Sequence, residues 1–281
     1  MRRSRRGSPR LKRWRARAAS ALVCAAAAAS GLHAAEPLAE AGGGLVYVDV
    51  PAYPGASSRY RLLLPTPYFI YRGPRLRVGR AGLRYALDRR GRTRIELSLG
   101  GGWPVGGRSP EREGMPPIRW WLEAGPRLSF TAWQSAASRL DLRAFLRAAV
   151  DITGRGMGWA AGPEIVWRYR KQGWSLRASA DLRWNSKRFH ATLYGVPSAY
   201  ARPRRPAFAA RGGLHSWGAS LWTSWRFRNG ARIFAGMSVR DLSVGVVARS
   251  PLVRRRMAMS AAAGFVAKLW ETEARGEGDE E

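Results

Sequence analysis

Residues 139–152 read Arg139-Leu140-Asp141-Leu142-Arg143-Ala144-Phe145-Leu146-Arg147-Ala148-Ala149-Val150-Asp151-Ile152. Every second side chain, from Leu140 through Leu142, Ala144, Leu146, Ala148 and Val150 to Ile152, is apolar. The positions between them carry Arg139, Asp141, Arg143, Arg147 and Asp151, with Phe145 and Ala149. Successive side chains of an extended strand point to opposite faces, so this order makes one apolar face and one charged face. A helix would mix the two sets all round its surface. Residues 174–185 repeat the pattern, with Trp174, Leu176, Ala178, Ala180, Leu182 and Trp184 against Ser175, Arg177, Ser179, Asp181, Arg183 and Asn185. Residues 118–132 do so again, from Ile118 and Trp120 to Phe130 and Ala132, opposite Arg119, Glu123, Arg127, Ser129 and Thr131.

Length and aromatic placement separate a soluble sandwich from a membrane barrel. These runs extend over 12 to 15 residues, whereas strands of soluble sheets usually have about 5 to 6. On the apolar face Trp120 and Phe130, and again Trp174 and Trp184, stand ten positions apart. Ten residues at about 3.3 Å each, tilted by about 40°, rise about 25 Å, the height of the apolar band between the two aromatic girdles of a barrel. Further runs are predicted near 44–50, 59–71, 74–87, 92–101, 157–170, 173–184, 187–195, 214–228, 231–241 and 257–270, which with 118–132 and 139–152 make twelve. The fold class expected is all-β, a transmembrane antiparallel up-and-down β-barrel of about 12 strands, an even count that returns both chain ends to the periplasm. Closure gives every backbone N–H and C=O a partner in a medium that offers none.

On this reading the polar faces line the lumen. Arg139, Asp141, Arg143, Arg147, Asp151, Arg177, Asp181 and Arg183 project inward, with Arg80, Arg84, Asp88, Arg94, Glu96, Glu123, Arg127, Glu164 and Arg168. Arginine suits such a lining because its planar fork bonds carboxylates two at a time. A structural ion-pair lining and a path for anionic solutes are both open at this stage.

The chain ends say where the barrel goes. The first 17 residues contain nine Arg/Lys and no acid, and an apolar stretch from Ala18 to Ala29 follows, ending in small residues around Ser30 to Ala35. That is the three-part layout of a secretory signal peptide, too short to span a bilayer. Residues 1–35 are therefore read as a cleaved leader, 36–270 as the barrel and 271–281 as an acidic C-terminal tail. The single cysteine, Cys24, lies in the leader, so the processed chain has none. Removal of the leader takes the formal charge from +30 to +21. The charge is interleaved with apolar residues and accompanies no nucleic-acid motif, so nucleic acid is not expected as a partner. Outer-membrane lipid and phosphorylated lipopolysaccharide are the polyanions within reach.

Little points to catalysis. Outside the leader only His190 and His215 remain, in no distinctive motif, and both are read as ordinary rim residues. Two distant histidines without cysteine make no metal shell. No catalytic residue, cofactor or metal is expected.

Several stretches resemble the MipA/OmpV (MltA-interacting protein) family. They are Tyr53-Pro54-Gly55 with Leu64-Pro65-Thr66-Pro67-Tyr68-Phe69-Ile70-Tyr71-Arg72-Gly73; Arg112-Glu113-Gly114-Met115-Pro116 leading to Glu123-Ala124-Gly125-Pro126; Tyr194-Gly195-Val196 through Arg205-Pro206-Ala207-Phe208 to Gly212-Gly213; and Ser250-Pro251-Leu252-Val253. Their order covers almost the whole processed chain. Pro117 stands where the family commonly has Asp, and Trp270, in the place of the terminal aromatic of many barrels, is followed by the acidic tail. The resemblance implies an outer-membrane scaffold between a periplasmic lytic transglycosylase, which degrades murein, and a penicillin-binding protein, which synthesises it. Other members are associated with adhesion or solute passage.

Counting strands from a periplasmic N-terminus places the Pro/Gly-rich segment 102–117, after the fourth predicted strand, in the periplasm. There Trp103, Arg108, Arg112 and Met115 are candidate anchors for a murein enzyme.

Overall fold

The alternation of residues 138–151 becomes a single long strand that is hydrogen-bonded on both sides, to 121–134 and to 156–171. The computed structural model describes residues 37–73, 76–79, 82–106 and 109–274, with backbone alone for 76–79 and 82–90. Among them run β1 (Ala39–Pro51), β2 (Arg59–Arg72), β3 (Leu76–Gly79), β4 (Gly82–Arg90), β5 (Thr93–Gly102), β6 (Trp121–Gln134), β7 (Ser138–Asp151), β8 (Gly156–Lys171), β9 (Trp174–Asn185), β10 (Gly213–Arg226), β11 (Arg232–Asp241) and β12 (Met257–Glu271). Each pairs antiparallel with its sequence neighbours, and β1 pairs with β12 from Glu40↔Glu271 to Asp49↔Ala261, closing the barrel. The expected leader, Arg80, Arg108 and residues 275–281 of the tail lie outside the described residues, as do the side chains of Arg84 and Asp88.

Two expected strands differ. The run predicted over 74–87 is divided into β3 and β4, which pair with each other across Gly79↔Gly82. Glycine inside an alternating run marks a place where the strand can stop or turn. The run predicted over 187–195 is a helix, α1 (Lys187–Tyr194). Ser186 caps it, its Oγ accepting from Phe189 N at 3.3 Å. Phe189, His190, Leu193 and Tyr194 form its buried stripe, a spacing that belongs to a helix and not to a strand. The two differences cancel in the strand count but not in the topology.

The barrel has two unlike ends. At the end where β1 begins and β12 finishes, hereafter the termini end, the links between strands are short, at 73–75, 91–92, 135–137, 172–173 and 227–231. At the other end are the segments 52–58, 103–120, 152–155, 186–212 and 242–256. The segment 103–120 follows β5, the fifth strand, and so lies away from the termini. This overturns its expected place beside them, because the division of 74–87 reverses the direction of the strands from β5 to β9, until the helix in place of the strand expected over 187–195 restores it.

The buried apolar core sits at that far end. Tyr53, Val105, Ile118, Phe189, Leu193, Tyr194, Val196, Leu242, Val247 and Leu252 pack with Trp121 and Ala149 of the strand ends. Trp121 and Ala149 occupy lumen-facing positions of β6 and β7, so the far segments pack into the barrel mouth as a cap. Ile118, expected to begin a strand, is one of these cap residues and pairs with Val105.

On the outside, Leu122, Leu128, Leu142, Leu146, Ile165 and Leu182 are exposed, as a lipid-facing band requires. Trp120, Trp159 and Trp217 turn outward near the cap, and Phe130, Trp133, Trp174 and Trp225 near the termini.

Candidate functional site

Within the lumen the charged faces of β5 to β9 meet. Asp141 is fully buried, with Arg139 Nε at 2.8 Å, Arg168 Nη1 at 2.9 Å, Arg143 Nη2 at 3.4 Å and Arg94 Nη2 at 3.7 Å. Thr131 Oγ1 donates to it at 3.0 Å. Glu123 takes Arg183 at 2.6 Å and Arg147 at 3.7 Å, and Glu164 is shared by Arg177 at 3.3 Å and Arg143 at 3.7 Å. Arg147 also donates twice to Ser98 Oγ. Charges taken out of water need such multiple partners, and Asp141 has them because β6, β7 and β8 bring side chains from both sides to one height.

Beyond β9 the lining changes. Arg240 of β11 reaches across β10 to grip Asp181 of β9 with both terminal nitrogens, at 3.0 and 3.2 Å. It passes over Gly218, where an added methyl would fall 2.8 Å from Asp181 Oδ1 and 3.1 Å from Arg240 Nη2. Towards the termini, Ser179 and Ser220 hydrogen-bond at 2.8 Å, then Arg177 stands opposite Trp222, then Ser175 and Ser224 bond at 2.8 Å. Trp222 lies on the lumen side, between outward Leu221 and Thr223, and is 36% exposed. The lumen is therefore accessible at its height.

With Glu96, which pairs with Arg127 at 3.1 Å and Arg94 at 3.9 Å, these ion pairs join nine arginines, Arg94, Arg127, Arg139, Arg143, Arg147, Arg168, Arg177, Arg183 and Arg240, to five carboxylates, Glu96, Glu123, Asp141, Glu164 and Asp181. The lining is thus a polycation partly neutralised by its own acids.

The cap is joined by hydrogen bonds between segments far apart in sequence. Tyr53 Oη donates to Leu252 O at 2.8 Å, Tyr194 Oη to Pro54 O at 2.9 Å and Ser250 Oγ to Tyr194 O at 2.7 Å. Burial raises the phenol pKa of both tyrosines. Arg112 Nη1 donates to Leu193 O at 3.0 Å, and Arg205 Nη1 donates to Glu111 O and Glu113 O at 3.0 and 2.8 Å. Burial opposes the charge of Glu111, but hydrogen bonds from Ser57 and Ser109 outweigh it and hold that carboxyl below its ordinary range. His190 Nδ1–H donates to Arg211 O at 2.7 Å, and burial pushes this imidazole below its ordinary pKa against the pull of that carbonyl. Its ring lies 5.3 Å from that of His215 and 6.1 Å from that of Tyr194.

The sequence-derived residues are distributed as follows. Arg139, Asp141, Arg143, Arg147, Arg177, Asp181 and Arg183 stand in the lumen and are brought together. Asp151, expected with them, instead accepts from Thr153 N, Thr153 Oγ1 and Arg155 N in the turn after β7, because the strand ends there. Of the candidate anchors, Arg112 is buried within the cap, Met115 packs against the cap core, and Trp103 lies between Tyr60 and Trp120, its ring centroid 4.9 Å from that of Trp120. Trp120, Phe130 and Trp174 are exposed on the outer face, with Trp184 half-buried there. His190 and His215, read as rim residues, are both buried, His190 in the cap helix and His215 at the start of β10. Sequence reasoning missed Trp222 and Arg240, although period 2 carried across β10 and β11 reaches both.

The family model for the MltA-interacting protein MipA matches residues 41–268, from the first strand to the last. This chain belongs to the MipA family. The match runs through the cap segments as well as the wall, and membership makes the chain an outer-membrane β-barrel protein. Among solved structures it is similar to an outer membrane channel from Pseudomonas putida F1, at 12% identity over 85% of this chain and 98% of that one, with a TM-score of 0.44. It is also similar to outer membrane phospholipase A from Escherichia coli in an active-site mutant form, at 11% identity over 85% and 93%, with a TM-score of 0.32. The toluene transporter TodX from Pseudomonas putida matches at 11% identity over 81% and 87%, again with a TM-score of 0.32. No curated protein sequence matches. Among the described residues no group of three His, Cys, Asp or Glu is placed to hold a metal ion.

Proposed function

We propose that this MipA-family barrel is a non-enzymatic outer-membrane scaffold whose working face is the end with the short turns and both termini, where periplasmic murein enzymes dock. The family is described by interaction with MltA, and the sequence resemblance pairs a lytic transglycosylase with a penicillin-binding protein. Bacterial outer-membrane barrels keep short turns in the periplasm and long loops outside, which orients this chain with its cap outward. The carrying observation is the cap itself, where four segments share one buried core in the mouth opposite the termini. A mouth filled in this way favours attachment over free passage.

The docking surface is then not 103–117 but the turns at 135–137, 172–173 and 227–231. Photo-crosslinkers at Ser135, Gln172 and Asn229 in living cells are expected to capture a murein enzyme, and those at Glu113 and Arg202 of the cap are not. Capture from the cap positions alone would reverse the orientation and end the proposal.

A second reading, passage of small anions, draws on the net-positive lining and the accessible lumen around Trp222. Planar-bilayer recording separates the two. The scaffold gives no sustained conductance with the cap intact, and an anion path gives steady anion-selective current.

A further inference from the structure

The lumen wall at β9 to β11 carries a feature that neither a scaffold nor a structural ion-pair lining uses. Trp222 and Arg177 are directly opposed across the β9–β10 ladder, and both face inward. Side chains so placed lie about 5 Å apart at Cβ. The exposure of the lumen arginine side chains rises from 5% at Arg143 to 35% at Arg177, the most open of those ion-paired in the network. Among the described residues its carboxylate partner is Glu164, which is shared with Arg143.

The indole is held as a platform. On β11 the residue opposite Trp222 is Gly236, and a methyl added there would overlap Cδ2, Cε2 and Cε3 of the ring. One ring face is therefore pressed on the wall at a residue without a side chain, and the exposed surface is turned to the lumen. Above and below stand the hydroxyl pairs Ser179–Ser220 and Ser175–Ser224. A buried indole serves packing, as the lumen-facing Trp121 does in the cap core; Trp222 is 36% exposed and stands beside the most open of these lumen arginines, so packing does not account for it.

We propose that Trp222 and Arg177 form a binding subsite for a small carboxylate carrying a flat apolar face, open to the termini-side half of the lumen. The flat face stacks on the indole, and the carboxylate is held by the planar fork of Arg177, within the excess positive charge of the lining. Serine hydroxyls on both sides supply hydrogen bonds to polar substituents. Such a face belongs either to an aromatic acid or to the C–H side of a sugar acid. The site stands independently of scaffolding, so failure of the cross-linking experiment leaves it intact.

The test uses the processed protein folded in detergent micelles, with equilibrium dialysis and ligand-observed saturation-transfer NMR. Benzoate and glucuronate represent the two sources, benzyl alcohol lacks the charge and acetate lacks the face. At least one of the two acids is expected to bind about tenfold or more tightly than both controls, a difference of about 1.4 kcal/mol. The better acid identifies the source. Trp222→Ala and Arg177→Gln are each expected to weaken it by a similar factor, while Trp222→Phe retains most of the binding. Equal binding of benzoate and benzyl alcohol, or of folded variants and the parent chain, would overturn the proposal. The four-probe comparison on the parent chain decides the matter even where a variant does not fold.

Discussion

In the cap, Tyr53, Tyr194, Leu242, Val247 and Leu252 exclude water as the core of a soluble domain does, whereas further along the lumen Asp141, Glu123 and Glu164 are held among arginines on the walls of β6 to β9. Both fill the same tube. The cap segments cross from one side of the mouth to the other, so they bring apolar side chains to each other and bury them at little electrostatic cost. The wall strands face water on one side during folding and lipid on the other afterwards, so their inner face is polar and must neutralise itself. Apolar packing tolerates a small loss locally, while a buried charge cluster depends on every counter-charge.

The sharpest way to break this comparison is Asp141→Ala. Four arginines converge on that carboxylate, and removing it leaves their charges opposed in a water-poor interior, at a cost of about 3 to 5 kcal/mol. Urea unfolding in lipid vesicles is expected to register it. A loss under about 1 kcal/mol would mean that water screens the cluster.

The two faces of β7 give the next effect. Leu146→Arg puts a charge against lipid near mid-strand and is expected to cost about 2 to 4 kcal/mol. Arg147→Leu one position on removes a lumen guanidinium that shares Glu123 with Arg183, and is expected to be milder. Equal losses in the same vesicle assay would contradict the assignment of faces.

Within the cap, Tyr194→Phe keeps the ring and deletes only the bond to Pro54 O, so the expected loss is about 0.5 to 1.5 kcal/mol, seen as faster amide exchange in 186–212 with the strands unchanged.

The smallest effect concerns pH. Burial lowers the pKa of His190, so the neutral ring stabilises the cap. That contribution is complete above the unfolded value, about 6.5, and falls away as the pH drops from there through the folded value. The protection of the cap amides, taken relative to their intrinsic exchange rates, is expected to fall between about pH 7.5 and 5 in the parent chain and to lose that part of its pH dependence in His190→Phe. An unchanged profile in the variant would place the sensitivity elsewhere.

Much of the wall is legible in the sequence. Runs such as 139–152 and 174–185 keep one unbroken apolar face, and alternation in a barrel specifies both faces at once, so the outward tryptophans and inward arginines follow from one observation. The cap was not legible in the same way. Residues 187–195 carry apolar side chains at helical spacing behind Ser186, a signal present but overridden by the strands on either side. Asp151 kept the inward parity of β7 yet belongs to a turn, because parity says nothing about where a strand ends.

What the sequence by itself determined is therefore the class of solution: a closed antiparallel wall with apolar residues to lipid and arginines inward, since period 2 is local and each strand declares it alone. Only the tertiary structure decided which end the segment 103–120 occupies, that four distant segments form one cap, and that Trp222 stands opposite Arg177 on one side and lies over Gly236 on the other. The first depends on the cumulative direction of every preceding strand, so one division at 74–87 reverses it. The others depend on register between strands and on contacts between residues as far apart as Tyr53 and Leu252. Those are set by closure of the whole barrel and leave no period in the chain.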